Sequence, residues 1–240
     1  MQTLERILHS QGFGTRRSCR ALVRARRVTV AGTLTEDPFA EFDTGTLVFT
    51  VDGQDWPFTA HATVMLNKPA GYECSRAPQF HASVLELLPP ALRERGVQPV
   101  GRLDQDTTGL LLLTDDGALN HRLTAPKHHV PKTYRATLKH PADATLCERL
   151  LGGVQLRDEP TPSVAINCEL MGPLTLRLTI DEGKYHQVKR MIAAAGNRVE
   201  ALHRESVGSL VLPVDLAPGA WKWVVDFAGL RLPGLSLTPP

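Results

Sequence analysis

The sequence predicts an α+β fold in two parts: a small basic module, then a larger mixed or antiparallel sheet with flanking helices. Three observations carry this. Residues 174–180 alternate, with Leu174, Leu176, Leu178 and Ile180 on one side and Thr175, Arg177 and Thr179 on the other, which is the period of a half-buried strand. The run Leu110–Leu113 is continuously apolar, short and bounded by polar residues, as a fully buried strand is. Tyr185 to Ala195 has helical spacing and stops at Gly196, so helices are interspersed with the strands.

The elements follow in order. Leu4, Ile7 and Leu8 share one helical face, with Thr3 as the expected N-cap and Gly12-Phe13-Gly14 as the break. Ser18 is positioned to cap a second helix with Leu22 and Val23 toward the core. Val28 to Val30, a tight turn at Ala31-Gly32, and Thr33-Leu34 read as a strand and its return. Leu47 to Val51 is a further strand. Asp52 to His61, rich in Gly, Pro and polar residues, reads as a linker. Beyond it come a strand at Val64-Met65-Leu66 and a capping box at Ser83–Glu86, opening a short helix that stops at Pro89-Pro90. Strands are also expected at Thr133–Leu138, Val199–Leu202 and Leu210–Leu212. The resulting boundaries are 1–58, 59–228 and a Gly-, Leu- and Pro-rich tail at 229–240.

Composition excludes several classes. At 42% hydrophobic and 22% charged, the 240 residues fit an ordinary globular protein of one large or two small domains. No apolar run nears the roughly 18 residues of a membrane span, and no secretory signal is visible. Cys19, Cys74, Cys147 and Cys168 are scattered without a Cys-x-x-Cys pair, against a zinc ribbon or a disulfide framework and in keeping with a reducing cytoplasm. The net charge of +2 hides an asymmetry. Residues 1–35 carry +6, and Arg16, Arg17, Arg20, Arg24, Arg26 and Arg27 fall within twelve positions, so the rest of the chain is at −4. Arginine clustering without compensating acid points to phosphate.

The segment Gly101-Arg102-Leu103-Asp104-Gln105-Asp106-Thr107-Thr108-Gly109 places an acid-bearing loop against the buried leucine strand, which runs on to an Asp-Gly turn. From the residues alone, Asp104 is a nucleophile, a general base, or the structural cap of an Asp-x-x-Thr turn. Arg102, two residues earlier, either faces the same site or pairs with Asp106 or Asp115. His186, Lys189 and Arg190 fall at i, i+3 and i+4 on one helical face, opposite Val188, Met191, Ile192 and Ala195. A lysine there can pair with Asp104, and Arg190 meets either RNA phosphate or a structural carboxylate.

The Asp104 segment closely resembles the active-site motif of pseudouridine synthases, above all the small-subunit pseudouridine synthase A branch. Asn67-Lys68-Pro69-Ala70-Gly71 resembles that family's Lys-Pro-x-Gly element, Lys132-Thr133-Tyr134 its Lys-x-Tyr element, and Glu182 to Met191 its third catalytic element. Leu202 to Gly208 resembles its closing strand. These blocks stand in family order across most of residues 60–225. The N-terminal module resembles the S4-type RNA-binding domain, departing from it at Thr3-Leu4-Glu5-Arg6 and Ala25-Arg26-Arg27.

The resemblance implies isomerisation of a uridine in small-subunit (16S) ribosomal RNA, at position 516, with a large-subunit target or a non-catalytic assembly factor as alternatives. It implies Asp104 as the catalytic carboxylate, Tyr134 as a platform for the target base and Lys189 as the cation beside Asp104. Lys68, Arg102, Lys132, His186 and Arg190 are expected on the substrate, and Arg16, Arg17, Arg20 and Arg24 on flanking RNA. No cofactor is expected, and Lys127-His128-His129 lacks the further ligands of a metal site. The expected partner is small-subunit ribosomal RNA, in an assembling particle, bound by a monomer.

Overall fold

The computed structural model describes residues 1–224, so the tail expected at 229–240 lies outside the described residues. The chain divides into two compact units. One comprises residues 1–62, 88–98 and 114–116, and the other residues 63–87, 99–113 and those from 117 onward.

The first unit begins with strand β1 (Gln2–Thr3) and helix α1 (Leu4–Ser10). Thr3 holds the N-cap position, but its hydroxyl makes no cap bond. The N–H groups of Leu4 and Glu5 donate instead to the carbonyls of Ala40 and Pro38, at 2.9 and 3.0 Å. Helix α2 (Arg16–Arg24) is capped by Thr15, whose side chain accepts from the Ser18 N–H at 3.2 Å. Ser18, expected as the cap, is therefore inside the first turn. Thr15 wins because it is extended and stands three residues ahead, the spacing a cap needs. Strands β2 (Val28–Val30) and β3 (Thr33–Leu34) turn through Ala31 and Gly32, both at positive φ, and β4 (Glu41–Phe42) pairs with β1. Strand β5 (Val48–Val51) follows.

The expected linker contains a strand. Asp52-Gly53, both at positive φ, makes a two-residue turn, and β6 (Gln54–Pro57) pairs back on β5. Asp-Gly is itself a hairpin signal, and here it outweighs the polar composition. The pairing buries Trp56, and Phe13 packs edge-on against Phe49 and Trp56 at 5.8 and 5.0 Å. Pro90 does not end structure but opens helix α3 (Pro90–Glu94), at whose first turn a missing N–H costs nothing. Gly12 meets this helix so closely that a Cβ would lie 2.1 Å from the Ala91 carbonyl oxygen.

The second unit is built on a mixed nine-stranded sheet, as the sequence predicts. Its elements are β7 (Thr63–Lys68), β8 (Gln98–Pro99), β9 (Thr108–Thr114), α4 (Gly117–Thr124), β10 (Lys132–Leu138), α5 (Ala144–Gly152), β11 (Asn167–Gly172), β12 (Thr175–Ile180), α6 (Gln187–Ala194), β13 (Val199–Val207), β14 (Leu210–Val211) and β15 (Trp221–Trp223). The main order is β11-β12-β10-β13-β9-β7-β15, with β14 on β13 and β8 on β9. Leu110 to Leu113 are all buried, and Leu110 and Leu112 join Met65, Val100, Leu119, Leu123, Val130 and Val207 in one core cluster.

Strand β13 runs parallel to β9, with Arg204 opposite Gly109. Gly109 has φ +104, and a Cβ there would sit 2.3 Å from the Arg204 carbonyl oxygen, so only glycine permits the pairing. Helices α4 and α5 and strand β11 were not expected. Each helix buries only two leucines at i and i+4, Leu119 and Leu123 in one and Leu146 and Leu150 in the other, too thin a stripe to stand out. Among the described residues no helix is long and apolar enough to cross a membrane.

Candidate active site

The loop carrying Asp104 is held from within. Lys68, at the end of β7, is fully buried, and its ammonium donates to the carbonyls of Pro69, Asp104, Gln105 and Thr107 at 2.9–3.1 Å. Lys68 was expected on the substrate. Burial and these carbonyls make it the internal brace of the loop instead. The Asp-x-x-Thr turn forms through the main chain, the Thr107 N–H donating to the Asp104 carbonyl at 3.1 Å. The Asp104 side chain is thus not a cap and is left for other contacts.

Its two oxygens receive two cationic or potentially cationic groups. Lys189 Nζ lies 3.0 Å from one, and His186 Nε2 lies 3.1 Å from the other. Lys189 also contacts Asp106 at 2.6 Å. Partial burial disfavours the Lys189 ammonium, but the hydrogen bonds to Asp106 and Asp104 outweigh it and raise its pKa. Asp106 is lowered in turn, chiefly by its hydrogen bond to Lys189. His186 does not lie on the helical face with Lys189. It is the left-handed N-cap of α6, at φ 47, and reaches Asp104 from there. Arg190 turns away, to Glu159 at 3.5 Å and to the carbonyls of Tyr185 and Arg157, so the structural carboxylate is its partner.

Asp104 opens on a cavity of about 770 Å³ that Arg102, Lys132, Tyr134, His186 and Arg204 also line. Tyr134 is 8% exposed on β10 and lines the cavity. Lys132, two residues earlier on the same face, donates to the Val130 carbonyl at 2.9 Å. Burial, aided by the Arg204 charge and opposed by Asp181, pushes its pKa down to about 8. Arg102 is exposed and has no ion pair among the described residues; Asp106 pairs with Lys189 and Asp115 with Arg95.

Sequence reasoning missed Asp106 and Arg204. Arg204 is 3% exposed, its Nε donating to the Leu110 carbonyl at 2.8 Å. The available signal was an arginine on the inward face of a strand, in step with Leu202. Among the described residues no three His, Cys, Asp or Glu side chains are grouped to hold a metal ion, and His129 pairs with Asp181 at 3.0 Å.

In the first unit, α2 presents Arg16, Arg17, Arg20 and Arg24. Arg17, Arg20 and Arg24 line a shallow hollow. Arg20 is engaged by Glu5 and stacks over Phe39 at 5.2 Å, whereas Arg16, Arg17 and Arg24 have no ion pair among the described residues.

The pattern of the RNA pseudouridylate synthase family matches residues 62–194. A ribosomal small subunit pseudouridine synthase A from Yersinia pestis is 42% identical over 222 residues, 89% of this chain and 91% of its own. The protein of that description from Escherichia coli (strain K12) is 48% identical over 158 residues, 66% of this chain and 68% of its own. A crystal structure of a pseudouridylate synthase aligns with TM-score 0.66 at 32% identity, covering 95% of this chain and 98% of the other.

Proposed function

The chain belongs to the RNA pseudouridylate synthase family, and from that premise we propose that it converts one uridine of small-subunit ribosomal RNA to pseudouridine, with Asp104 as the catalytic carboxylate. The observation that carries the assignment is the Asp104 carboxylate, set at the cavity between Lys189 and His186. The target is uridine 516, as in the small-subunit branch.

The reaction is an isomerisation. The N1–C1′ bond breaks, a C5–C1′ bond forms, the C5 proton is lost and N1 takes one up. The sugar carbon becomes electron-poor as the first bond breaks, and a fixed carboxylate compensates that charge or bonds to it, as in glycoside chemistry. Lys189 and His186 hold the carboxylate in place. Tyr134 stacks on the uracil once it has left its helix, keeping the base beside the sugar while it turns. Arg102, Lys132 and Arg204 supply cations for the nucleotide's phosphate and carbonyl oxygens.

Residues 1–58 act as an S4-like grip on flanking RNA through Arg16, Arg17 and Arg24. The protein works as a cytoplasmic monomer on an assembling subunit.

Tritium release from 16S RNA carrying 5-tritiated uridine tests the chemistry. Asp104→Asn keeps the shape and removes the charge. Release should fall by many powers of ten, beyond the roughly 10²–10⁴ of a proton-transfer group alone, with the fold and RNA binding retained. A folded Asn variant with near-normal release would end the assignment. Mapping pseudouridine with and without the protein tests the target: a loss from large-subunit RNA instead would overturn the small-subunit reading.

A further inference from the structure

The two most exposed aromatic side chains among the described residues, Phe80 at 84% and Tyr185 at 76%, both lie on the wall of the Asp104 cavity. Exposed rings of this size are costly to leave in water and need a reason when they converge on one opening. Neither is carried on a loose segment.

Phe80 sits on a loop gathered around one carboxylate. Glu73 accepts the N–H groups of Gln79, Phe80 and His81 at 2.9–3.0 Å. Those backbone bonds, the Gln79 and Phe80 ones foremost, hold the Glu73 pKa below the usual range. Ser83 Oγ closes the loop on the Ser75 carbonyl, and Glu73 bridges to Ser83. The loop is thus built to hold the ring outward, since the carboxylate that could have gone to solvent is spent on its backbone.

Tyr185 is stacked on His186, with ring centroids 3.8 Å apart and planes 19° from parallel. His186 in turn contacts Asp104 at 3.1 Å. One face of the tyrosine ring is covered by the histidine, and the residue's exposure places the other face in solvent. The pair is a two-ring stack that starts at the carboxylate and ends open.

We propose that Phe80 and Tyr185 are stacking platforms for the bases on either side of the target uridine. A uridine reaches Asp104 only by leaving its stack, and its neighbours then lose a stacking partner each. Two preorganised rings at the cavity replace those partners. Positioning of this kind is sequence-tolerant, because every base has a π-face. It rests on the RNA-isomerising function proposed above, and it assigns these rings to neighbours of the target, whereas Tyr134 serves the target itself.

The test compares KM and kcat for tritium release from 16S RNA with full-length wild type, Phe80→Ala, Tyr185→Ala, Phe80→Leu and Phe80→Trp. Each Ala variant should raise KM about 5- to 150-fold, the loss expected for one stacked base, with little change in kcat. Leu is apolar without a π-face and should behave as Ala, while Trp should keep wild-type KM. Independently of turnover, the added tryptophan of Phe80→Trp should show fluorescence quenching by single-stranded oligouridylate, relative to wild type. Wild-type KM in both Ala variants, full rescue by Leu, or an unquenched tryptophan would overturn the proposal. A wild-type protein that releases no tritium would instead overturn the function itself, and the quenching result would still decide whether the rings stack on bases.

Discussion

Replacing Lys68 with Met separates a brace from an RNA-binding group. The ammonium has three protons shared among four carbonyl oxygens at 2.9–3.1 Å. Three charge-assisted hydrogen bonds at about 1.5–3 kcal/mol each make a gross loss of about 5–9 kcal/mol. Removing the buried charge returns a desolvation cost of several kcal/mol. The net expectation is about 2–4 kcal/mol of destabilisation, or a fall in Tm of about 5–15 °C for a chain of this size. Activity should fall further than stability suggests. Three of the four carbonyls belong to the Asp104–Thr107 loop, and a shift of about 1 Å in a reacting group costs on the order of 100-fold. Tritium release at a temperature where the variant is folded, thermal melts and RNA binding by filter retention are the measurements. The brace predicts low kcat, low Tm and near-normal affinity. Normal Tm and kcat with weakened RNA binding would refute it and return Lys68 to the substrate.

Lys189→Met should lower kcat on the order of 10²–10³-fold, since it leaves Asp104 and Asp106 without their shared cation, while Lys189→Arg should keep most of it. Equal activity of the two variants would remove the charge from the argument. Lys132 should impose a pH dependence. Its ammonium titrates at about 8 in the fold, below the ordinary value of 10.5, so RNA affinity should fall as pH rises from 7 to 9, and Lys132→Arg should flatten that fall. The same shift has the opposite sign for stability: between about pH 8 and 10.5 the unfolded chain binds more protons, so the group's contribution to stability grows with pH, which melts across that window can check. Replacing Arg16, Arg17 and Arg24 with Gln should weaken RNA binding and flatten its log–log salt dependence by about 0.7–0.9 for each phosphate that is no longer neutralised, with kcat on saturating RNA retained. An unchanged slope would show that α2 is not the RNA grip.

The sequence by itself determined the strands whose side chains sort by burial, because period-2 alternation and the unbroken leucine run record which faces lose water. It also determined the Asp104 loop, flanked by apolar segments, and the lysine on the polar side of α6, because both are local patterns. Tertiary structure decided the rest. Thr15 rather than Ser18 caps α2, since the cap depends on backbone angles that a roster of cap-forming residues does not carry. His186 left the helical face because its φ is positive, and Arg190 is engaged by Glu159 and two backbone carbonyls. Lys68 was expected on the substrate. Only the fold brings it under carbonyls as much as 39 residues ahead, and only there does a buried ammonium find enough oxygen to remain. Arg204 and Gly109 depend on each other across 95 residues, through a parallel pairing that nothing local announces. Periodicity reports how each side chain partitions between water and core. Which polar groups then meet is set by chain crossings, and in this protein those crossings build the carboxylate's surroundings.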